Sequence, residues 1–401
     1  ILLNSRSILI LCVFLLFSCS GADDKELVVT AKQYIENNQL REASLELKNA
    51  LQANPKNAEA RYLLGQLNIT IGDMKSAAKE FRKAKEAGWD EAQSQIGLLN
   101  AMVNSREFEK VLDGVQIKQS YSDSARANLY GLKAFAEAAL GYAGLANESI
   151  KQGAALDKDA IHVLKTSVQL EIASGKADVA ATQLDHALSR SKNNIELLLL
   201  NAYLAIQNKE GPLAAEQFQK VIALEPKNLV TFNGRKARLG LARLEILNKN
   251  LGQVKVLLAP LFKQNANDPE LNYIGGLLSF EQADFDLAEV RLWKVLKVAP
   301  EHAKSQLLFG SINFAQKDYE QAAYYIGKYL QLEPENMGVR KLLGRTFIIL
   351  GEHEEAQTTS RPGLQESESD VELLAQVGLS HIQGGDIATG INDLLNAVVA
   401  I

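Results

Sequence analysis

Residues 316–336 read QKDYEQAAYYIGKYLQLEPEN, and residues 282–302 read QADFDLAEVRLWKVLKVAPEH. Tyr319, Ala322, Ile326, Tyr329 and Pro334 each stand 34 residues after Phe285, Ala288, Leu292, Val295 and Pro300. An aromatic residue, a small one, two apolar ones and a proline recur at fixed offsets. The small and apolar members are spaced to share one face of a helix with 3.6 residues per turn. Proline marks its end, because it cannot continue the helical hydrogen-bond ladder.

Carried outward, the same pattern predicts repeats beginning near residues 24, 58, 92, 127, 161, 195, 235, 269, 303, 337 and 371. One step is 35 residues and one is 40, the excess falling at Leu229–Gly234. The eighth position of a repeat is small, as in Ala31, Gly65, Ala202, Gly276, Gly310 and Gly344. So is the twentieth, as in Ala43, Ala77, Ala146, Ala214, Ala288 and Ala322. Helices approach to about 8–10 Å only where the crossing point lacks bulk, so these two positions face each other. Position 24 is a large plug, as in Leu47, Phe81, Leu184, Phe218, Leu292 and Ile326. The pattern weakens in the repeat at 92, where Leu99 and Val111 replace the small pair, and in that at 337, where Pro362 falls inside the expected second helix. Gly390 replaces the alanine of the last repeat.

This periodicity resembles the tetratricopeptide repeat, a helix–turn–helix unit of 34 residues. The expected fold is therefore all-α: a right-handed α-solenoid of about eleven such repeats, the last one incomplete. A terminal repeat normally needs a polar outer face. The chain stops at Ile401 within a helical pattern, so it is expected to be a piece of a longer array.

The leader reads ILLNSRSILILCVFLLFSCSGADD, with Arg6 ahead of an apolar run from Ile8 to Phe17. Ten residues at about 1.5 Å each span about half a bilayer core, which predicts a signal-peptide core rather than a membrane helix. Leu16-Phe17-Ser18-Cys19 resembles a bacterial lipobox, although Phe17 stands where a small residue is usual. That resemblance implies lipidation at Cys19 and cleavage before it, and Ser20 resembles the signal for outer-membrane sorting. The expected organisation is a signal at 1–19, a short tether at 20–26, six repeats over 24–228, an insertion at 229–234 and five repeats over 235–401.

Composition narrows the function. The chain is 47% hydrophobic and 23% charged, within the range of folded proteins, and its net charge of -5 provides no polybasic footprint for nucleic acid. Both cysteines precede residue 20, so the body has neither a disulfide scaffold nor a cysteine-held metal. His162, His186, His302, His353 and His381 each stand alone, and no phosphate-loop or nucleophile-elbow motif occurs. The acidic runs at 352–355 and 366–370 are expected in turns. No catalytic residue, metal or cofactor is predicted.

The resemblance implies binding on a concave face lined by the first helix of each repeat, at positions 2, 5, 9, 12 and 13. The candidate residues are Tyr62, Asn100, Tyr203, Lys236, Arg243, Tyr273, Lys341 and Arg345. The basic ones either contact an acidic peptide or anionic polymer, or cover helix surface with their long stems. The tyrosines either anchor a ligand or pack at the edge of the core. Across the leader and the stretch 37–84 the chain is similar to tetratricopeptide-repeat lipoproteins of the PEP-CTERM/exosortase sorting systems of Gram-negative bacteria. This implies a lipid-anchored scaffold on the periplasmic face of the outer membrane, serving envelope protein sorting or exopolysaccharide export. Two other readings stay open: a secretion or pilus assembly lipoprotein that binds a porin or secretin, and a module that grips anionic polysaccharide.

Overall fold

The computed structural model describes residues 23–367 and 369–400. Residues 1–22, Cys19 among them, lie outside the described residues, as does Ile401. Among the described residues there are twenty-two α-helices and no strand, an all-α architecture of repeated hairpins.

The first six hairpins are α1 (Asp24–Glu36) with α2 (Leu40–Ala53), α3 (Ala58–Ile71) with α4 (Met74–Glu86), α5 (Glu91–Asn104) with α6 (Phe108–Gly114), α7 (Asp123–Ala139) with α8 (Ala143–Asp157), α9 (Ile161–Ala173) with α10 (Ala177–Arg190), and α11 (Ile195–Gln207) with α12 (Gly211–Ala223). Five more follow: α13 (Phe232–Leu247) with α14 (Leu251–Gln264), α15 (Pro269–Glu281) with α16 (Phe285–Val298), α17 (Ala303–Ala315) with α18 (Tyr319–Leu332), α19 (Met337–Leu350) with α20 (His353–Glu366), and α21 (Val371–Gln383) with α22 (Ile387–Val399). The helices group into two compact units, with the boundary along the chain between Leu241 and Ala242, inside α13.

Short polar side chains start many of these helices. Asn57, Asp73, Asp90, Asp268, Asp284, Asp318, Asn336, Asp370 and Asp386 each accept a hydrogen bond from a backbone N–H in the first turn, which satisfies a donor the helix leaves unpaired. Within hairpins the chain reverses through left-handed residues, among them Asn38, Ala283 and Lys317.

The core follows the period. Ala43, Ala77, Ala146, Ala180, Ala214, Ala288, Ala322 and Ala356 are all fully buried, and Leu47, Phe81, Leu184, Phe218, Leu292 and Ile326 fill the space beside them. In the N-terminal unit Val28, Ala31, Leu40, Ala43 and Leu47 open the core. In the C-terminal unit Leu292, Phe309 and Ile312 form one cluster and Ile326, Tyr329 and Leu343 another.

Three details depart from the regular pattern. The third hairpin keeps its bulky pair, Leu99 and Val111, buried at the crossing, and its second helix is only seven residues long. Val115, Ile117 and Tyr121, in the non-helical stretch that follows, pack onto the same cluster in its place. Pro362, expected to disturb its repeat, lies within a continuous α20, as Pro260 lies within α14. The acidic run at 352–355 is only partly a turn, since Glu354 and Glu355 sit in the first turn of α20, where the helix dipole favours negative charge.

Candidate functional site

The first helices of the N-terminal hairpins share a cavity of about 340 Å³. Ile69 and Thr70 come to it from α3, Asn104 from α5, Lys165 and Gln169 from α9, Glu196, Leu199 and Tyr203 from α11, and Phe232, Asn233 and Lys236 from α13. Ile69, Thr70, Asn104, Lys165, Gln169, Glu196, Leu199, Tyr203 and Lys236 occupy positions 2, 5, 9, 12 or 13 of their repeats. The lining therefore combines amide and hydroxyl groups with an apolar floor, as binding pockets commonly do.

One ion pair organises its charge. Lys165 Nζ donates to Glu196 Oε2 at 3.0 Å. Burial pushes the Glu196 carboxyl up, but the Lys165 ammonium outweighs it and holds the group below the usual carboxylate range. Behind this pair His162 is buried, and burial reinforced by Lys165 lowers its pKa to about 4. Its ring is therefore neutral at physiological pH. Lys236 Nζ lies 4.1 Å from the centre of the Phe232 ring, within cation–π distance.

Tyr203 and Lys236 thus meet in this cavity, Tyr203 exposed by 41% with its ring set edge-on against Phe218 at 5.6 Å. The other candidates of the N-terminal unit are engaged internally. Tyr62 stacks on Trp89 at 5.1 Å, and its hydroxyl accepts from Gln66 Nε2 at 3.0 Å. Burial, then Asp90, pushes its phenol pKa up. Asn100 accepts from Asn104 Nδ2 through its carbonyl oxygen at 2.8 Å and through Oδ1 at 3.0 Å.

The remaining candidates belong to the C-terminal unit, where the basic groups face carboxylates. Arg243 Nη2 lies 2.9 Å from Glu270 Oε1 and Arg345 Nη2 lies 2.5 Å from Glu372 Oε1. Lys341 Nζ lies 2.6 Å from Asp370 Oδ2 and 3.9 Å from Glu372 Oε2. Tyr273 sets its ring edge-on to His302 at 5.3 Å. No group of three His, Cys, Asp or Glu side chains among the described residues is arranged to hold a metal ion.

Sequence reasoning did not single out Gln169, Glu196, Leu199 or Phe232. The first three fall at groove positions of their repeats and were within its reach. Phe232 belongs to the stretch that breaks the period, and no periodic signal points to it.

The family model for the tetratricopeptide repeat matches residues 29–92 and 276–336. No curated protein matches the chain. Among solved structures, the chain is similar to one in the APC/C hetero-tetramer Cut9–Hcn1, at 13% identity and TM-score 0.40, over 95% of this chain and 80% of that one. It is also similar to PilF of Pseudomonas aeruginosa, at 14% identity and TM-score 0.46, over 54% of this chain and 96% of that one. A third is YrrB, described as a TPR protein with an unusual peptide-binding site, at 16% identity and TM-score 0.42, over 47% and 93% of the two chains. At these values none of the three carries a function across. Helical hairpins of the expected period and a matching family model at 29–92 and 276–336 agree that the chain carries tetratricopeptide repeats in both of its units.

Proposed function

We propose that this protein is a non-catalytic scaffold that holds a segment of a partner protein against the concave face of its N-terminal unit. The supporting observation is the cavity itself: α3, α5, α9, α11 and α13 bring Thr70, Asn104, Gln169 and Asn233 together with Leu199, Tyr203 and Phe232. Such a lining matches a peptide, whose backbone needs hydrogen-bond partners and whose side chains need apolar cover. The carboxylates beside Arg243, Lys341 and Arg345 favour a protein segment over an anionic polysaccharide, since they offset the positive charge such a polymer would seek.

In the same reading, Cys19 carries a lipid that holds the protein on the periplasmic face of a bacterial outer membrane. There it serves envelope protein sorting or exopolysaccharide export. The lipobox-like Leu16-Phe17-Ser18-Cys19 supports the anchor. Among the described residues no helix is long and apolar enough to cross a membrane. Two acyl chains or more at one terminus suffice for stable anchoring.

The test is photo-crosslinking in cells from positions 203, 243 and 345, combined with fractionation of a Cys19→Ala variant. Capture of a secretion or sorting protein from position 203 is expected, with release of the variant into the soluble fraction. Glycan captured without protein would replace the scaffold reading with polymer binding. Retention of the variant in the membrane pellet would remove the anchor.

A further inference from the structure

The stretch that breaks the period has a structure of its own. Where α12 ends, Pro226 is buried, and Leu229 N–H donates to the Pro226 carbonyl oxygen at 3.4 Å across a turn in which Asn228 has φ 62°. The Glu225 carboxylate pins the base of this turn. It accepts from Thr231 N–H at 2.7 Å and from the Thr231 hydroxyl at 3.1 Å, and it pairs with Arg238. Gly234 N–H in turn donates to Thr231 Oγ1 at 2.9 Å.

The other side of the turn reaches the opposite end of the same unit. Leu229 packs against the cluster of Val28, Ala31, Leu40 and Leu47 in the first hairpin. The Phe232 ring lies against Gly72 in the turn between α3 and α4, where an added Cβ would stand 3.3 Å from Phe232 Cδ2. Gly72 has φ 91°, a conformation that L side chains rarely adopt, so both its backbone and its lack of a side chain suit this contact. Phe232 also forms part of the cavity wall. The insertion therefore ties the last helices of the N-terminal unit to its first ones and closes the unit beside its cavity.

We propose that Pro226–Phe232 is a latch seated on the first two hairpins, and that the seat is itself a docking surface. The latch displays what the seat accepts: a segment with an aliphatic side chain in the place of Leu229 and an aromatic one, three residues on, in the place of Phe232. Both side chains are only half-buried. A partner segment of the same chemistry exchanges one small apolar contact for an equivalent one, and in doing so opens the unit. This rests on the reading that the concave face receives a partner protein. Closure itself is measured with no partner present, so the two can fail separately.

The experiment uses the full chain with Cys12 and Cys19 replaced by serine, which leaves no cysteine. Spin labels are placed on α2 and α12 through Lys48→Cys and Gln219→Cys, both exposed positions. The distance distribution is expected to be narrow, and to broaden towards longer distances in Leu229→Asp. A synthetic peptide EPKNLVTFN, the sequence of residues 225–233, is expected to bind the Leu229→Asp chain at least tenfold more tightly than the unaltered chain. The same peptide with aspartate in place of its leucine is expected not to bind. An unchanged distance distribution in Leu229→Asp, with helical circular dichroism retained, overturns the latch. Equal binding of the two peptides overturns the seat. If Leu229→Asp loses helix, Phe232→Ala is read in its place by the same criteria.

Discussion

Arg345 reaches from the first helix of one repeat to Glu372 in the first helix of the next, Nη2 to Oε1 at 2.5 Å, a partner 27 residues away. Arg243 and Glu270 repeat the contact at the same separation, and Lys32 pairs with Glu59 in the same register. Position 9 of a repeat is thus linked to position 2 of its successor. A second rung joins position 5 to the same acidic residue, as in Lys165 with Glu196 and Lys341 with Glu372. The periodicity of the sequence becomes a periodicity of charge pairing on the inner face.

This ladder predicts small and reversible effects. Both groups of the Arg345–Glu372 pair are substantially exposed, so Arg345→Glu should cost no more than about 1 kcal/mol at low salt, and less at high salt. The swap Arg345→Glu/Glu372→Arg should restore most of it. Chemical denaturation at two salt concentrations measures both. A loss that salt leaves unchanged would mean that packing of the arginine stem, and not charge, is at work.

Close helix approach makes a stronger prediction. A Cβ added at Gly131 of α7 would stand 2.3 Å from the His162 carbonyl carbon and 2.4 Å from Val163 N, backbone atoms that have little room to yield. Gly131→Ala should therefore destabilise by about 1–3 kcal/mol, in the range of core overpacking. At Gly144 of α8 a Cβ would meet nothing within 4 Å, and Gly144→Ala should instead stabilise by about 0.5–1 kcal/mol through lower chain entropy. Urea midpoints of the two variants should move in opposite directions.

Ala322, fully buried, marks the crossing of α17 and α18, with its carbonyl oxygen 3.3 Å from where a Cβ on Gly310 would stand. Ala322→Leu should cost about 1–3 kcal/mol. Each hairpin packs mainly on its neighbours, so amide exchange should accelerate in α15–α20 and little elsewhere. Uniform acceleration along the chain would contradict this picture of local packing.

His162 predicts a pH dependence. Burial, with Lys165 beside it, lowers its pKa from 6.5 to about 4, so the unfolded chain binds its proton more readily than the folded one. Stability contributed by the neutral ring is complete above about pH 6.5, and it falls as pH drops from there through about 4. The full difference amounts to about 3 kcal/mol. His162→Gln should flatten the stability–pH profile in that window, read from urea midpoints at pH 7.5 and 5.0. A profile as steep as that of the unaltered chain would assign the dependence to carboxylates.

The hairpins were legible in the sequence because their determinants are local. Asp318 caps α18 three residues ahead of its partner N–H, and Ala322 and Ile326 meet the next layer from one face of the same helix. Helix starts could be read from such caps, and the crossings from the small residues at positions 8 and 20. The groove positions follow from the same register, and two of the residues at them, Tyr203 and Lys236, line the cavity. Tyr62 also falls at a groove position of its repeat, but no spacing reveals that Trp89 stacks on it.

The sequence by itself thus determined the repeated hairpin, because a period of 34 residues writes each helix, turn and crossing within reach of its own neighbours. The tertiary structure decided what joins residues far apart: the seating of Leu229 beside Val28, the closing of the cavity by Phe232, and the choice of Glu270 and Glu372 as partners for Arg243 and Arg345. Those contacts depend on the path along which successive hairpins stack. A small rotation at each junction, summed over six hairpins, settles whether residue 229 meets the first hairpin or open water.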